Sequence, residues 1–299
     1  MKITNEYREK VFAALLEVRQ NFTGKDETFA RQWGINKTVF SQMKTEVKEG
    51  LIKDSQWLLI GHKLDITLNE RKWLIAKTEV FRIIEEDILF CKEYQKSRIC
   101  VDEPEIGKSY AAKYLSRKLS NCFYADASQA KGKQAFVRLL AQTLGVPMGR
   151  YSDMKAQIKY YLKVLENPVV IIDEAGDLEA SAFLELKEFW NATEGECGWY
   201  MIGADGLEEK FRRGIISKKV GYRELFSRYS SKYTKIVPVG KDDKRDFYKR
   251  LLEDVLSINM EDKTDMKEII KRSLVIDTNG NVGALRRAES LLIAKTHGS

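Results

Sequence analysis

Val169-Val170-Ile171-Ile172-Asp173-Glu174 is an unbroken β-branched run that ends in two acids. Four such residues in succession leave no polar face, the pattern of a strand covered on both sides within a parallel sheet, and the acids fall where it emerges. Upstream by 65 residues, counted from Asp173 to Lys108, stands Asp102-Glu103-Pro104-Glu105-Ile106-Gly107-Lys108-Ser109. It lies between an apolar stretch, Arg98–Val101, and a helical pattern, Lys108–Leu119. A Gly-Lys-Ser turn between a strand and a helix is the setting of a phosphate-binding loop, in which backbone N–H groups and a helix N-terminus face an anion. In this reading Glu105, Ile106, Gly107, Lys108, Ser109 and Tyr110 surround ATP, Lys108 spans the outer phosphates, and Ser109 and Asp173 hold Mg2+. Glu174 polarises the attacking water. Gly-Lys-Ser is common by itself; its order and spacing with the acidic strand end carry the prediction.

Working outward, strand-like and helix-like segments alternate. Cys122–Ala125 precedes Gln134–Leu144, Val169–Asp173 precedes Ala180–Trp190, and Tyr200–Gly203 and Lys235–Val239 read as further strands. The alternation predicts an α/β fold with a mostly parallel sheet covered on both faces. An amphipathic helix over Thr78–Tyr94 leads into it, and Lys244–Thr296 reads as helical throughout, a C-terminal helical lid. Two arginines fit this frame. Arg228 lies where an arginine finger reaching a neighbouring subunit's ATP would sit, a DNA or solvent contact being the other reading. Arg286, on a lid helix, is placed to contact the γ-phosphate, with adjacent Arg287 as its competitor.

The first 60 residues read as an all-α helix-turn-helix unit. Ala30 allows a close helix crossing, Gly34 the left-handed turn, and Ile35, Phe40 and Met43 the apolar contacts of a second helix over about Asn36–Val47. Lys37, Thr38, Ser41, Gln42 and Lys44 would project outward as DNA-contacting types. A plain helical hairpin or protein-contact module has the same spacing. Asp54–Leu68 reads as a connector.

The chain of 299 residues carries a net charge of +7, and between Lys210 and Lys235 there are nine basic residues and one acid, leaving the remainder near −1. That concentration suggests a polyanionic partner, or else arginines serving a nucleotide at a subunit interface. Four irregularly spaced cysteines and two histidines favour neither a disulfide framework nor a zinc cluster. With no apolar run approaching roughly 18 residues and a polar start, no membrane association and a cytoplasmic location are expected.

On these motifs the sequence resembles the AAA+ ATPases of DNA transposition, the phage Mu B protein family. The likeness runs from Thr78 through Ile106–Ser109, Phe136–Leu144, Ile171–Ala175, Met201–Gly203 and Gly283–Arg287, and the N-terminal helix-turn-helix has a counterpart there. It implies an ATP-dependent, largely nonspecific binder of double-stranded DNA that polymerises on its target as a filament and delivers it to a transposase. It also implies DNA contacts after the second strand, here Lys131 and Lys133, which otherwise read as a solvated turn. The implied organisation is a helix-turn-helix domain over 1–60, a connector over 61–77, an AAA+ core over 78–240 and a lid over 241–299. Asp102 and Glu105 stand where such loops carry glycine. A carboxylate facing phosphate at about 4 Å would oppose binding by roughly 4 kcal/mol at an effective dielectric near 20, so both are expected to point outward. Ala204 replaces a polar sensor, which implies slow, DNA-stimulated hydrolysis. A replication initiator or helicase loader of the same fold, and a nucleotide-sensing DNA-binding regulator with little turnover, are the alternatives.

Overall fold

The computed structural model describes residues 3–20, 22, 24–45, 50–64, 66, 73–276 and 282–297. In the N-terminal unit, α1 (Asn5–Gln20), α2 (Asp26–Gln32), α3 (Lys37–Met43) and α4 (Asp54–Lys63) enclose a core of Val11, Leu15, Phe29, Phe40, Met43 and Trp57. The helix-turn-helix spacing works as read: Ala30 is fully buried, Gly34 adopts φ 68°, and the Asn36 side chain caps α3 by accepting the Thr38 N–H at 2.9 Å. The second helix is shorter than expected. The Lys44 and Thr45 amides bond the carbonyls three residues back, tightening the last turn, and residues 46–49, which include the expected end at Val47, lie outside the described residues. Asp54–Lys63 is a helix rather than a connector, because Trp57 and Ile60 complete the small core.

Beyond it come α5 (Glu79–Tyr94), β1 (Ser97–Val101), α6 (Lys108–Lys118), β2 (Cys122–Asp126), α7 (Lys133–Leu144), α8 (Tyr151–Val164) and β3 (Val169–Asp173). They are followed by α9 (Ala180–Ala192), β4 (Gly198–Gly203), α10 (Asp205–Ile216), α11 (Tyr222–Arg228) and β5 (Tyr233–Thr234). The strands form one sheet in the order β2-β3-β4-β1-β5, and every pair is parallel. Both faces are covered: Val170 and Ile172 point into a core shared with α7, α8 and α9, while Val169 and Ile171 pack toward α5, α6 and the C-terminal helices. This is the double coverage that the apolar run at 169–172 demanded. Asp87 of α5, buried, accepts hydrogen bonds from Arg98 of β1, Tyr200 of β4 and Thr234 of β5, and so ties three strands together.

Sequence reading passed over α8, although its buried Met154, Ile158 and Leu162 recur every four residues. It also placed the fifth strand too late. The strand ends at Thr234 because two of the next three backbone amides, those of Ile236 and Val237, donate to the Asp102 carboxylate instead of to a sheet neighbour.

The C-terminal part is α12 (Lys241–Asn259), α13 (Met266–Ser273), an antiparallel pair β6 (Val275–Ile276) and β7 (Val282–Gly283), and α14 (Leu285–His297). It is therefore not helical throughout. Its apolar side, including Phe247, Leu251, Leu252, Ala284 and Ala288, packs with Ile106 and α6, which brings α12 and α14 against the loop that precedes Lys108. No helix among the described residues is long and apolar enough to cross a membrane.

Candidate active site

Parallel strands present their C-terminal ends at one sheet edge, where ligands of open α/β sheets bind. Here that edge carries the 102–107 loop after β1, the acids after β3 and Ala204 after β4, and the Asp102 N–H donates to the Gly203 carbonyl at 3.3 Å. Gly107 enters α6 at φ 97°, a left-handed backbone that a side chain would strain, with Leu285 of α14 beside it. Lys108 follows and is buried. Its Nζ donates to the Asp102 carbonyl at 2.8 Å and to the Glu103 carbonyl, and no carboxylate lies within ion-pair distance of it among the described residues. Burial pulls the Lys108 pKa down, against the attraction of Cys100, Asp102, Asp173 and Glu174. A buried ammonium without a contact counter-ion is a site made for an anion. Ser109 is half-buried in the first turn of α6, and Tyr110 is exposed with its hydroxyl donating to the Trp73 carbonyl at 3.1 Å.

At the end of β3 the Asp173 carboxylate is buried and held at both oxygens: Oδ1 accepts the Glu174 N–H at 2.9 Å and Oδ2 accepts the Tyr124 hydroxyl at 2.5 Å. Glu174 is exposed and left-handed at φ 50°, a conformation that costs a non-glycine residue about 1–2 kcal/mol. Its pKa is raised, first by partial desolvation of a carboxyl that surrounding groups crowd although the residue is exposed, then by the charges of Asp173, Asp177 and Asp126, with Lys108 opposing. A strained acid of raised proton affinity beside a second carboxylate is suited to proton handling. The loop that follows is fixed by Lys210 of α10, whose Nζ donates to the Leu178 carbonyl at 2.8 Å and to that of Gly176.

The loop acids do not behave alike, and the expectation that both point outward is corrected. Asp102 turns inward: Oδ1 accepts the Glu103 N–H at 2.7 Å, and Oδ2 accepts the Val237 N–H at 2.9 Å together with that of Ile236. Glu103 pairs with Lys244 and accepts the Tyr248 hydroxyl at 2.6 Å, both on α12. Glu105, left-handed at φ 63° where glycine is usual, meets Arg286 of α14 at 3.3 Å. Arg286 is thus beside the loop, and both it and Arg287 are exposed.

Arg228 is elsewhere. Its Nε donates to Asn191 Oδ1 at 2.8 Å and its guanidinium lies 5.1 Å from the Trp190 ring, while the Trp190 indole N–H donates to Ser97 at the start of β1. These contacts put Arg228 at the opposite edge of the sheet from Lys108. Lys131, in the loop after β2, and Lys133, the first residue of α7, are exposed. Lys37, Thr38, Ser41, Gln42 and Lys44 are exposed on α3 and its end, but Lys37 pairs with Glu27 at 3.3 Å and Lys44 with Asp26 at 2.7 Å. The basic segment from 210 is also less free than its composition suggested. Lys210 is turned onto carbonyls, Arg212 and Arg213 share Glu209, and Lys235 pairs with Glu208 at 2.6 Å. Lys218, Lys219, Arg223 and Lys232 stay exposed without an acidic partner among the described residues.

Sequence reasoning missed Tyr124, Lys210 and Glu103. Only Tyr124 left a trace, as a polar-tipped aromatic between Phe123 and Ala125 on a strand.

The sheet order, the Gly-Lys-Ser loop after β1 and the acids at the end of β3 define an α/β P-loop fold, preceded by a helical unit. Residues 91–211 match the family model described as AAA domain, which suggests nucleoside triphosphatase activity, and the parallel α/β sheet is consistent with that match. Among solved structures the chain is similar to one described as the crystal structure of a DNA replication initiation factor, with 13% sequence identity and a TM-score of 0.44. That likeness covers 76% of this chain, which spans 64% of the length of the other. No curated protein matches the chain in sequence.

Proposed function

We propose that this chain is an ATP-dependent, DNA-binding ATPase that assembles with copies of itself on double-stranded DNA and delivers that DNA to a transposase. The observation that carries the nucleotide half is the convergence of Lys108, buried without a counter-ion, with Asp173 and Glu174 at one sheet edge. The donors suit Mg2+·ATP. Ser109 and Asp173 offer hard oxygen ligands, and among the described residues no group of three or more metal-binding side chains exists that could hold a cation unaided. Mg2+ commonly binds in this way, through one or two carboxylates plus the phosphates of its substrate. When bound, the ion would neutralise charge developing on the transferred phosphoryl group.

The chain's own residues then divide the work. The 105–107 backbone and Lys108 bind and orient the phosphates, and Glu174, of raised proton affinity, orients and accepts from the attacking water. Arg286 reaches the outer phosphate from α14. Arg228, remote from this chain's own Lys108, would serve the site of an adjacent copy, so that turnover requires assembly. The absence of a polar side chain at Ala204 supports slow hydrolysis. For DNA, the exposed Lys131 and Lys133, the outer surface of α3 and the exposed Lys218, Lys219, Arg223 and Lys232 supply the cations that phosphate contacts need. The likeness of the motifs to the transposition ATPases supports the transposase as partner.

The test is electron microscopy of the protein on plain duplex DNA with a slowly hydrolysed ATP analogue, beside Lys108→Ala. Continuous filaments in the wild type and none in the variant are expected. Closed rings would indicate an initiator or helicase loader instead. Identical DNA binding by both proteins with and without nucleotide would overturn the assigned site.

A further inference from the structure

We infer that Tyr124 is a positioning residue for the metal-binding carboxylate, so that the strength of the divalent-cation requirement is set from β2 rather than by the acidic strand end alone. The inference rests on the nucleotide site proposed above and deepens it. In-register pairing of β2 with β3 sets Tyr124 opposite Ile171, two residues before Asp173, and its hydroxyl reaches forward to Asp173 Oδ2 at 2.5 Å. The second oxygen is held from the chain's own backbone by the Glu174 amide at 2.9 Å. A carboxylate with one donor on each oxygen cannot rotate about its Cβ–Cγ bond without losing both, yet each oxygen keeps a lone pair for a cation or its water shell.

The ring is itself fixed. Lys113, one helical turn beyond Ser109 on α6, places its ammonium 5.6 Å from the Tyr124 ring centroid. Tyr124 therefore lies between the helix that carries Lys108 and Ser109 and the strand that carries Asp173, in contact with both. Nothing in the phosphate-loop and acidic-strand motifs calls for a donor at this position, and a phenylalanine would fill the same space. What the hydroxyl adds is orientation of a metal-binding carboxylate by an outer partner, and loss of such partners typically lowers metal affinity by 10- to 100-fold.

The experiment measures binding of a fluorescent ATP analogue by anisotropy across a Mg2+ titration, and steady-state hydrolysis at saturating Mg2+, for wild type and Tyr124→Phe. The variant is expected to bind the analogue in EDTA as the wild type does, to need about ten-fold more Mg2+ for its half-maximal response, and to recover most of its turnover at high Mg2+. Tyr124→Leu, which also removes the hydroxyl, should show the same rise in Mg2+ requirement and serves the same test should the phenylalanine variant fail to fold. In an Asp173→Asn background Tyr124→Phe should have no further effect on the Mg2+ requirement. An unchanged Mg2+ requirement in the folded variant, or an effect of full size in the Asp173→Asn background, overturns the role. Wild-type protein that binds no analogue at any Mg2+ concentration would instead overturn the site itself, an outcome read before any variant is compared.

Discussion

Replacing Asp102 by glycine restores the residue that opens a full phosphate-loop signature, and from sequence alone the change should tighten ATP binding by removing a negative charge. The structure reverses the expectation. The Asp102 side chain is buried, and its carboxylate is engaged by backbone amides while the Lys108 ammonium bonds the backbone carbonyl of the same residue. Its two oxygens receive the amides of Glu103, Ile236 and Val237. The Ile236 amide is buried and has no water to turn to, so loss of a charge-assisted bond there costs about 2–3 kcal/mol. The other two amides are part-buried and can recover solvent, at about 0.5–1 kcal/mol each, for a total near 3–5 kcal/mol. At about 2–4 °C per kcal/mol for a unit of this size, the melting temperature of Asp102→Gly should fall by roughly 6–20 °C. Asp102→Asn keeps one acceptor oxygen and should fall between variant and wild type. Differential scanning fluorimetry gives the melting temperatures, and anisotropy with a fluorescent ATP analogue gives affinity at a temperature where both proteins are folded. A glycine variant as stable as the wild type that binds ATP more tightly would refute the reasoning, because Asp102 would then act on the phosphates and not on the 236–237 segment.

Two further outcomes follow from the site. Glu174→Gln should abolish turnover, prolong the DNA-bound assembly, and raise the melting temperature of the nucleotide-free protein at neutral pH. A carboxyl whose folded pKa is raised makes the folded state lose stability as pH climbs through the window above 4.5, so the gain should vanish below that pH; an acid-stable gain would contradict the burial and like-charge origin of the shift. Arg228→Ala should bind ATP normally as a monomer but fail to hydrolyse it, and mixing it with Lys108→Ala should restore part of the DNA-stimulated rate; mixtures inactive at every ratio would remove Arg228 from the reaction.

Much of the parallel sheet and its loop was legible because both rest on local signals. A β-branched run bounded by acids has one comfortable environment, and β3 runs from Val169 to Asp173 as read. Gly34, Asn36 and Ala30 similarly announced the turn, cap and crossing of the N-terminal helices. What escaped were decisions made over long sequence separations. Lys235–Val239 has strand composition, but its amides are claimed by a carboxylate more than 130 residues earlier, and no local pattern carries that information. The basic segment from 210 was misjudged for a related reason. Glu208 and Glu209 stand just before it and fold back onto Arg212, Arg213 and Lys235, so charge counted along a window overstated the charge left free.

The loop acids show how magnitudes separate residues that composition treats as equivalent. Each binds something C-terminal: Asp102 the 236–237 amides, Glu103 the first turns of α12, Glu105 the start of α14. Asp102 is buried, and its carboxylate is occupied by three backbone amides. The Glu105 contact with Arg286 is an ion pair whose arginine is 80% exposed, and such pairs are worth about 0–1 kcal/mol. That is too little to withhold a guanidinium from a polyphosphate, and the left-handed backbone at Glu105 costs at least as much as the pair returns. The glycine-poor loop therefore need not weaken ATP binding by repulsion. Its acids couple the loop to the C-terminal helices, so that a ligand taking Arg286 from Glu105 also bears on the position of α14.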